Sequence, residues 1–277
     1  DTGNGDTGNG DTGNGDTGNG DTDNGDTDNG DTDNGNGDPT VNLEPTDGVW
    51  LGGSGSSSDG DDAEFAIVTI GDRMFGFTVD GLEEGTFNDF GFGAVVTFDP
   101  DNGDFGFGPN PALGFNSELD TDAGIFTERE DFEVFGTLGE QDTLTVTADF
   151  GADGSETFSE MEYSDFLEKE TTLSDFEGVY RTRDGVVPNI SLNVDADGSF
   201  NGQSFPICNY TGSIEQPASG ANAYNIELTL SGGGCLAEGT IEGIASLSEP
   251  DDDFGAGLFI LAHNEEFGMF DFLPRSQ

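Results

Sequence analysis

The sequence predicts an all-β protein, built from two small antiparallel β-barrel or sandwich units that follow a disordered N-terminal linker. Three observations predict this class. Apolar residues recur at every second position beyond residue 46, short Gly-, Asn- and Asp-rich turns separate these runs, and a polar repeat fills the start of the chain. We expect residues 1–45 to be a disordered acidic linker, residues 46–172 to form a first β-domain, and residues 173–277 to form a second β-domain of about eight strands.

Seven five-residue units occupy residues 1–35, four reading DTGNG and three reading DTDNG. An EF-hand calcium loop needs D-x-[DN]-x-[DN]-G and a later bidentate Glu, but Gly25 arrives one residue early and the repeats contain no Glu. The units also lack the apolar residue that a calcium β-roll needs for its core. The repeats therefore favour a flexible, self-repelling tether. Weak calcium binding is the alternative, with Asp21, Asp23, Asp26, Asp28, Asp31 and Asp33 as candidate ligands; no other cofactor is expected.

The charge balance limits the partners of the protein. The chain has 58 acidic and 6 basic residues, a formal net charge of -52. Nucleic acids and anionic lipids are bound by clustered Lys and Arg, so neither is an expected partner. The 24 Phe residues and the apolar runs supply enough material for a core. We expect an unidentified protein or surface partner instead, with membrane contact only through an N-terminal lipid anchor that is not part of this sequence.

Three segments show the strand pattern most clearly. In "NISLNV", "YNIELTL" and "DTLTVTA", apolar residues alternate with polar ones, which predicts strands with one buried face. Residues 99–104 and 195–198 carry the Asp-, Asn- and Gly-rich composition of hairpin connections. Helical signals are scarce. The segment 163–170 is predicted to hold one or two helical turns, with Ser164 as N-cap and Leu167 pointing inward.

An internal echo suggests two related units. "DGVWLGG" at 47–53 and "EGVYRTR" at 177–183 both open with Gly-Val-aromatic, and both are followed by a strand, a short turn and another strand. The boundary near residue 172 follows from this echo.

The two cysteines allow one disulfide or two free thiols. Because Cys208 and Cys235 lie in neighbouring strand-like segments around a predicted hairpin at 216–222, we expect them to be bonded.

The second unit resembles the C-terminal β-domain of small bacterial envelope lipoproteins of the gammaproteobacterial type, whose function is uncharacterised. The resemblance covers about residues 175–250 and the style of the Gly/Asp-rich leader. It implies a location at the outer envelope and no particular reaction. The matching residues are Gly178, Tyr180, Gly198, Cys208, Tyr210, Gly212, Asn222, Tyr224 and Cys235.

Catalytic signatures are weak throughout the sequence. The lone histidine, His263, lies beside an apolar run and is more typical of a strand-end packing residue than of a base. The sequence lacks G-x-S-x-G, H-E-x-x-H and C-x-x-C motifs, so we expect neither an enzyme nor a zinc site. One set of aromatic residues in the first unit has two interpretations, ordinary core packing or the lining of an apolar ligand cavity. These residues are Trp50, Phe90, Phe92, Phe105 and Phe107.

Together these features predict a non-catalytic protein that is exported and attached to the outer membrane or cell surface. Its β-domains would have a binding or structural role at the end of the leader. Two alternatives remain open: a barrel that carries a small apolar ligand, and a calcium-dependent adhesin or assembly subunit.

The tether hypothesis predicts how residues 1–35 respond to calcium. Millimolar calcium should only screen charge, so the amide NMR signals of the Thr and Gly residues should stay sharp and poorly dispersed. Sodium at equal ionic strength is the control. Signals that disperse and saturate with calcium alone would show that the repeats form a binding array.

Overall fold

The computed structural model describes residue 44 and residues 46–52, 64–80, 86–101, 104–116, 125–139, 143–182, 189–205, 208–216, 221–249 and 255–276. Within these residues the protein is all-β, which confirms the predicted fold class. The predicted linker, residues 1–45, lies outside the described residues apart from Glu44. No helix in the described part of the chain is long and apolar enough to cross a membrane.

The described residues form eighteen strands and three 3-10 helices. The strands are β1 (Gly48–Gly52), β2 (Glu64–Ile70), β3 (Arg73–Asp80), β4 (Thr86–Val95), β5 (Phe98–Asp101), β6 (Asp104–Asn116), β7 (Ile125–Phe126), β8 (Glu128–Gly139), β9 (Thr143–Asp149), β10 (Ser155–Ser164), β11 (Gly178–Arg181), β12 (Asn189–Val194), β13 (Ser199–Phe205), β14 (Cys208–Glu215), β15 (Tyr224–Ser231), β16 (Gly239–Ser248), β17 (Gly257–His263) and β18 (Gly268–Pro274). The 3-10 helices span Gly151–Asp153, Asp165–Glu168 and Leu173–Phe176.

The first sheet closes into a barrel. Its strand order is β4-β3-β2-β1-β10-β9-β8-β6-β5, and a further pairing of β4 with β6 joins eight of these strands into a ring. Strand β5 pairs with β6 outside that ring. All the pairings are antiparallel, and β1 pairs with β10, so the ring is an up-and-down arrangement that leaves none of its eight strands with a free edge.

The second sheet is a half-barrel of nine strands in the order β11-β12-β13-β14-β15-β16-β17-β18-β7. A single bridge links Tyr180 of β11 to Arg275, the residue that follows β18. The ninth strand, β7, comes from the connection between β6 and β8 of the first barrel. Its Phe126 pairs with Gly268 and its Ile125 with Met269. The first barrel therefore contributes a strand to the second sheet.

Three apolar cores hold the molecule together. One fills the interior of the first barrel and includes Trp50. One fills the half-barrel and includes Tyr180. The third, which we call the seam, lies between the outer faces of the two sheets. The seam consists of Val49, Ala66, Val68, Ile70, Phe75, Phe77, Phe115, Phe126, Leu167, Ala221, Ala223, Ile244, Phe259, Leu261, Phe270 and Phe272.

The seam explains why some strands contain an unbroken apolar run. In β17, Leu258 and Ile260 belong to the half-barrel interior, whereas Phe259 and Leu261, which alternate with them, belong to the seam. Because successive side chains of a strand point to opposite faces, a strand buried on both sides needs a continuous apolar run. Strand β12, whose outer face is not in the seam, keeps the alternating pattern that "NISLNV" predicted.

Two glycines of β4 allow the sheets to approach closely. Phe92 points into the first barrel, while Gly91 and Gly93 on either side of it face the seam. A Cβ at Gly91 would lie 2.4 Å from the ring of Phe270, and a Cβ at Gly93 would lie 1.9 Å from Nε2 of His263. The Gly-Phe alternation of this strand thus fills the barrel with rings on one side and admits side chains of the half-barrel on the other.

The segment between the sheets is fixed by Asn222. Its backbone N–H donates to the Leu167 carbonyl (3.0 Å), and its side-chain amide exchanges hydrogen bonds with the backbone of Leu247 (2.7 and 2.9 Å). Leu167 points into the seam as predicted. Ser164 occupies the N-cap position of this 3-10 helix as predicted, but its side chain makes no capping hydrogen bond. Ser164 is also the last residue of β10 and pairs with Val49.

The internal echo extends to the topology. Strands β1 and β11 each open their own sheet, and each returns to the last strand that follows it in that sheet. Their aromatic residues occupy equivalent places, since Trp50 and Tyr180 are both fully buried. The two sheets belong to one compact unit, Pro39–Gln277. The division into domains at residues 172 and 173 stays a prediction.

The predicted disulfide is present. Cys208 at the start of β14 is bonded to Cys235 in the connection between β15 and β16. Strands β14 and β15 pair as a hairpin, in which Asn209 lies opposite Ser231. The bond therefore closes the open end of this hairpin.

Substitution of Gly93 tests whether the seam depends on these close contacts. Gly93→Ala should destabilise the protein by about 1–3 kcal/mol, because the new methyl group overlaps the His263 ring. Chemical denaturation of the full chain measures this loss. Gly106→Ala is the matched control, since a Cβ there has no neighbour closer than 4.0 Å. Equal losses for the two variants would contradict the proposed role of Gly93.

Candidate ligand-binding cleft

An open cleft of about 610 Å³ lies where the first barrel meets the half-barrel. Strands β3, β4, β6 and β8 supply one side, and β16, β17 and the turn after β17 supply the other. Its charged or titratable lining residues are Arg73, Arg129, Glu242, His263 and Glu265. Its remaining lining residues are Phe75, Gly93, Ala94, Val95, Pro111, Leu113 and Gly243.

Arg73 crosses from the first barrel to the half-barrel. Its guanidinium donates to the carbonyl of Gly243 (3.3 Å) and to Oδ1 of Asn225 (2.8 Å). Both acceptors are neutral oxygens, and no carboxylate of a described residue forms a salt bridge with it. Burial lowers the pKa of Arg73, although Asp72 and Glu242 act in the opposite direction. An arginine nevertheless stays charged at any physiological pH, so the cleft holds a partly desolvated positive charge.

Arg129 makes a second crossing from the first barrel to the half-barrel. Its Nη1 donates to the carbonyl of Glu265 in the half-barrel (2.8 Å), and its Nε donates to Asp131 (2.7 Å) on its own strand. The hydrogen bond to Asp131 raises the pKa of this arginine. The charge of Arg129 is thus matched by a carboxylate, unlike that of Arg73.

His263 lines the cleft together with the two arginines and packs against the first barrel. Its ring is 6.0 Å from that of Phe75 and 5.7 Å from that of Phe115, measured between centroids. Its Nδ1 lies 3.2 Å from the carbonyl of Asn264, which can only accept, so Nδ1 carries the proton and Nε2 faces Gly93. Burial lowers the pKa of His263, and the bond to Asn264 offsets this only in part. The imidazole is therefore neutral at pH 7.

A smaller depression of about 280 Å³ adjoins the cleft on the other side of Arg73. Its lining is mostly polar and includes Glu215, Glu227 and Glu242. Within the described ranges, no group of three or more His, Cys, Asp or Glu side chains is arranged to hold a metal ion. The six Asp residues named as weak calcium candidates all lie outside the described residues.

The predicted aromatic set lies in the first barrel rather than at the cleft. Trp50, Phe92 and Phe107 are buried in its interior core, and Phe90 packs against that core. Phe105 is a residue of β6 whose side chain lies outside the described part of the structure. The rings make ordinary core contacts, such as the edge-to-face pair of Phe92 and Phe132, with centroids 5.4 Å apart.

The residues that carry the lipoprotein resemblance have packing and hydrogen-bonding roles. The hydroxyl of Tyr180 donates to the carbonyl of Phe176 (2.9 Å), and that of Tyr224 donates to the carbonyl of Thr171 (2.6 Å). Gly198 has φ +80°, and burial raises the pKa of Tyr210 to about 12. None of these residues lines the cleft.

The positions of the basic residues in the sequence indicate the cleft, although the strand and turn patterns do not. Arg73 and Arg129 are the only basic residues before Lys169, and both are in the cleft together with the lone histidine. In such an acidic chain, the position of each basic residue indicates where positive charge is needed.

No family model, curated protein or solved structure matches this chain.

The buried imidazole predicts a specific loss of stability in acid. The stability contributed by neutral His263 is complete above its ordinary pKa of 6.5 and is lost as the pH falls toward its lowered folded-state pKa, because the unfolded chain then binds the proton more tightly. Between about pH 7.5 and pH 5, the wild type should lose more unfolding free energy than His263→Gln. Denaturation of both proteins across this range measures the difference. Parallel pH profiles would show that His263 does not titrate in this way.

Proposed function

We propose that this protein is a non-catalytic binding protein of the cell envelope or cell surface, held there as a tethered lipoprotein, and that the cleft between the two sheets is its ligand site. The proposal rests on the partial burial of Arg73 and on its hydrogen-bond partners. A partly buried guanidinium lines a cleft of small-molecule size, and the two oxygens of described residues to which it donates are both neutral. Ligand sites typically combine an apolar lining with a few such fixed polar groups.

The surroundings of His263 support binding rather than catalysis. A general base must present its free nitrogen to the proton that it removes. Here Nδ1 is engaged with Asn264, and Nε2 is directed at the backbone of Gly93 at close range. The imidazole therefore acts as a wall of the cleft and as a contact across the seam.

The disulfide and the acidic leader support the proposed location. Structural disulfides persist in oxidising compartments, and the bond between Cys208 and Cys235 closes a hairpin of the half-barrel. The repeats of residues 1–35 carry Asp without any basic residue, a composition that extends a linker by self-repulsion. Such a leader would hold the folded part away from an acidic surface.

The proposal predicts saturable binding of a neutral apolar dye, such as Nile red, to the full chain. Val95→Trp should reduce this binding by roughly tenfold or more, because Val95 is 64% exposed in the lining and an indole there occupies the cleft. Fluorescence titration measures both affinities.

Leu236→Trp is the matched control, because Leu236 is also an exposed apolar residue (47%) and does not line the cleft. It should bind the dye as the wild type does. Absence of saturable binding to the wild type, or equal binding by Val95→Trp and the wild type, would refute the cleft as a ligand site.

A further inference from the structure

The side chains that line the cleft carry both signs of charge. Arg73 and Arg129 are positive, the second of them paired with Asp131 outside the lining, Glu242 and Glu265 are negative, and His263 is neutral at pH 7. The protein as a whole is strongly negative, with a formal net charge of -52. A ligand with a net negative charge is repelled at long range by this field, whereas a ligand with both charges and no net charge is not.

Arg73 and Glu242 both line the cleft near each other, without forming an ion pair. Glu242 acts on Arg73 electrostatically, but the guanidinium donates to Gly243 and Asn225 instead. Glu242 is exposed and follows Thr240 and Ile241 on β16, where it lies opposite His263. A carboxylate and an ammonium group on one ligand match these two side chains, since each ionic contact is charge-assisted.

The remaining lining is apolar. Phe75, Pro111 and Leu113 of the first barrel supply carbon surface. Glycine at position 93 keeps the floor beside His263 free of a side chain. A ligand that placed its charged end at Arg73 would lay its carbon skeleton along this surface, and burial of that skeleton adds affinity in proportion to its apolar area.

We propose that the cleft binds a zwitterionic small molecule with an apolar body, such as an α-amino acid with an apolar side chain, with its carboxylate on Arg73 and its ammonium group on Glu242. This inference rests on the proposed function of the cleft as a ligand site.

Four probes that share a phenyl ring test the chemical class. Calorimetric titration of the full chain should show that phenylalanine binds more tightly than 3-phenylpropionate, which lacks the ammonium group, and phenethylamine, which lacks the carboxylate. Each should be weaker by roughly tenfold or more, because one charge-assisted contact is lost. Phenylalaninamide, which is cationic at low pH and has no carboxylate, should behave as phenethylamine does.

Variants assign the two contacts. Arg73→Lys should retain part of the affinity for phenylalanine, because it keeps the charge but loses the two-pronged donor. Glu242→Gln should reduce the affinity for phenylalanine and phenethylamine and leave that for 3-phenylpropionate unchanged. Glu227→Gln is the matched control, since Glu227 lies opposite Glu242 on the neighbouring strand and does not line the cleft.

Three outcomes overturn the inference. The first is that phenylalanine does not bind at millimolar concentration. The second is that 3-phenylpropionate binds more tightly than phenylalanine, which would indicate an anion site. The third is that Glu242→Gln and Glu227→Gln have equal effects on binding.

The neutral dye separates this inference from the proposed function. If the dye binds at the cleft and phenylalanine does not, the ligand class is wrong and the site stands. If the dye does not bind, the site itself fails.

Discussion

The close packing of the outer faces of the two sheets is the interaction on which the rest of the structure depends. It requires that strands of both sheets be apolar on both faces, and it requires glycine where a ring of one sheet meets the backbone of the other. Gly91 under Phe270 and Gly93 under His263 meet the second requirement. Strand β7 adds backbone pairing across the same boundary. A side chain at either glycine would separate the sheets, and the cleft between them would change with the separation.

Because the chain has so few basic residues, the position of each one is informative. Arg73, Arg129 and Arg275 each donate to a backbone carbonyl far away in sequence, on Gly243, Glu265 and Glu177. Carbonyls at a crossing between segments need donors, and an arginine supplies several from a single side chain. Arg129 also pairs with the carboxylate of Asp131, so what the three arginines share is the bond to a distant carbonyl, which marks a joint between segments of the molecule. Arg73 and Arg129 mark the joints that also border the cleft.

Much of the fold follows from local pattern, whereas the site does not. Period-two alternation identified the strand containing Ile190 and Leu192 because one face of that strand meets solvent. The disulfide followed from the hairpin that its cysteines flank. The cleft, by contrast, is lined by residues from both sheets, and Arg73 and Gly243 are 170 residues apart. No local pattern encodes such a meeting, since it depends on how two finished sheets pack. The aromatic set around Trp50 was recognised as apolar, but sequence alone did not separate a barrel core from a cavity wall.

The candidate site is built partly from contacts between the two sheets, so ligand binding there would be coupled to stability. His263 packs onto Gly93 across the boundary and also lines the cleft, and Arg73 both joins the sheets and lines the cleft. A ligand that binds only the assembled cleft stabilises the folded protein by mass action, and the effect grows with its concentration relative to its dissociation constant. Because several lining residues of the cleft are also contacts between the sheets, a ligand bound there would lie between two packed sheets and would favour their association.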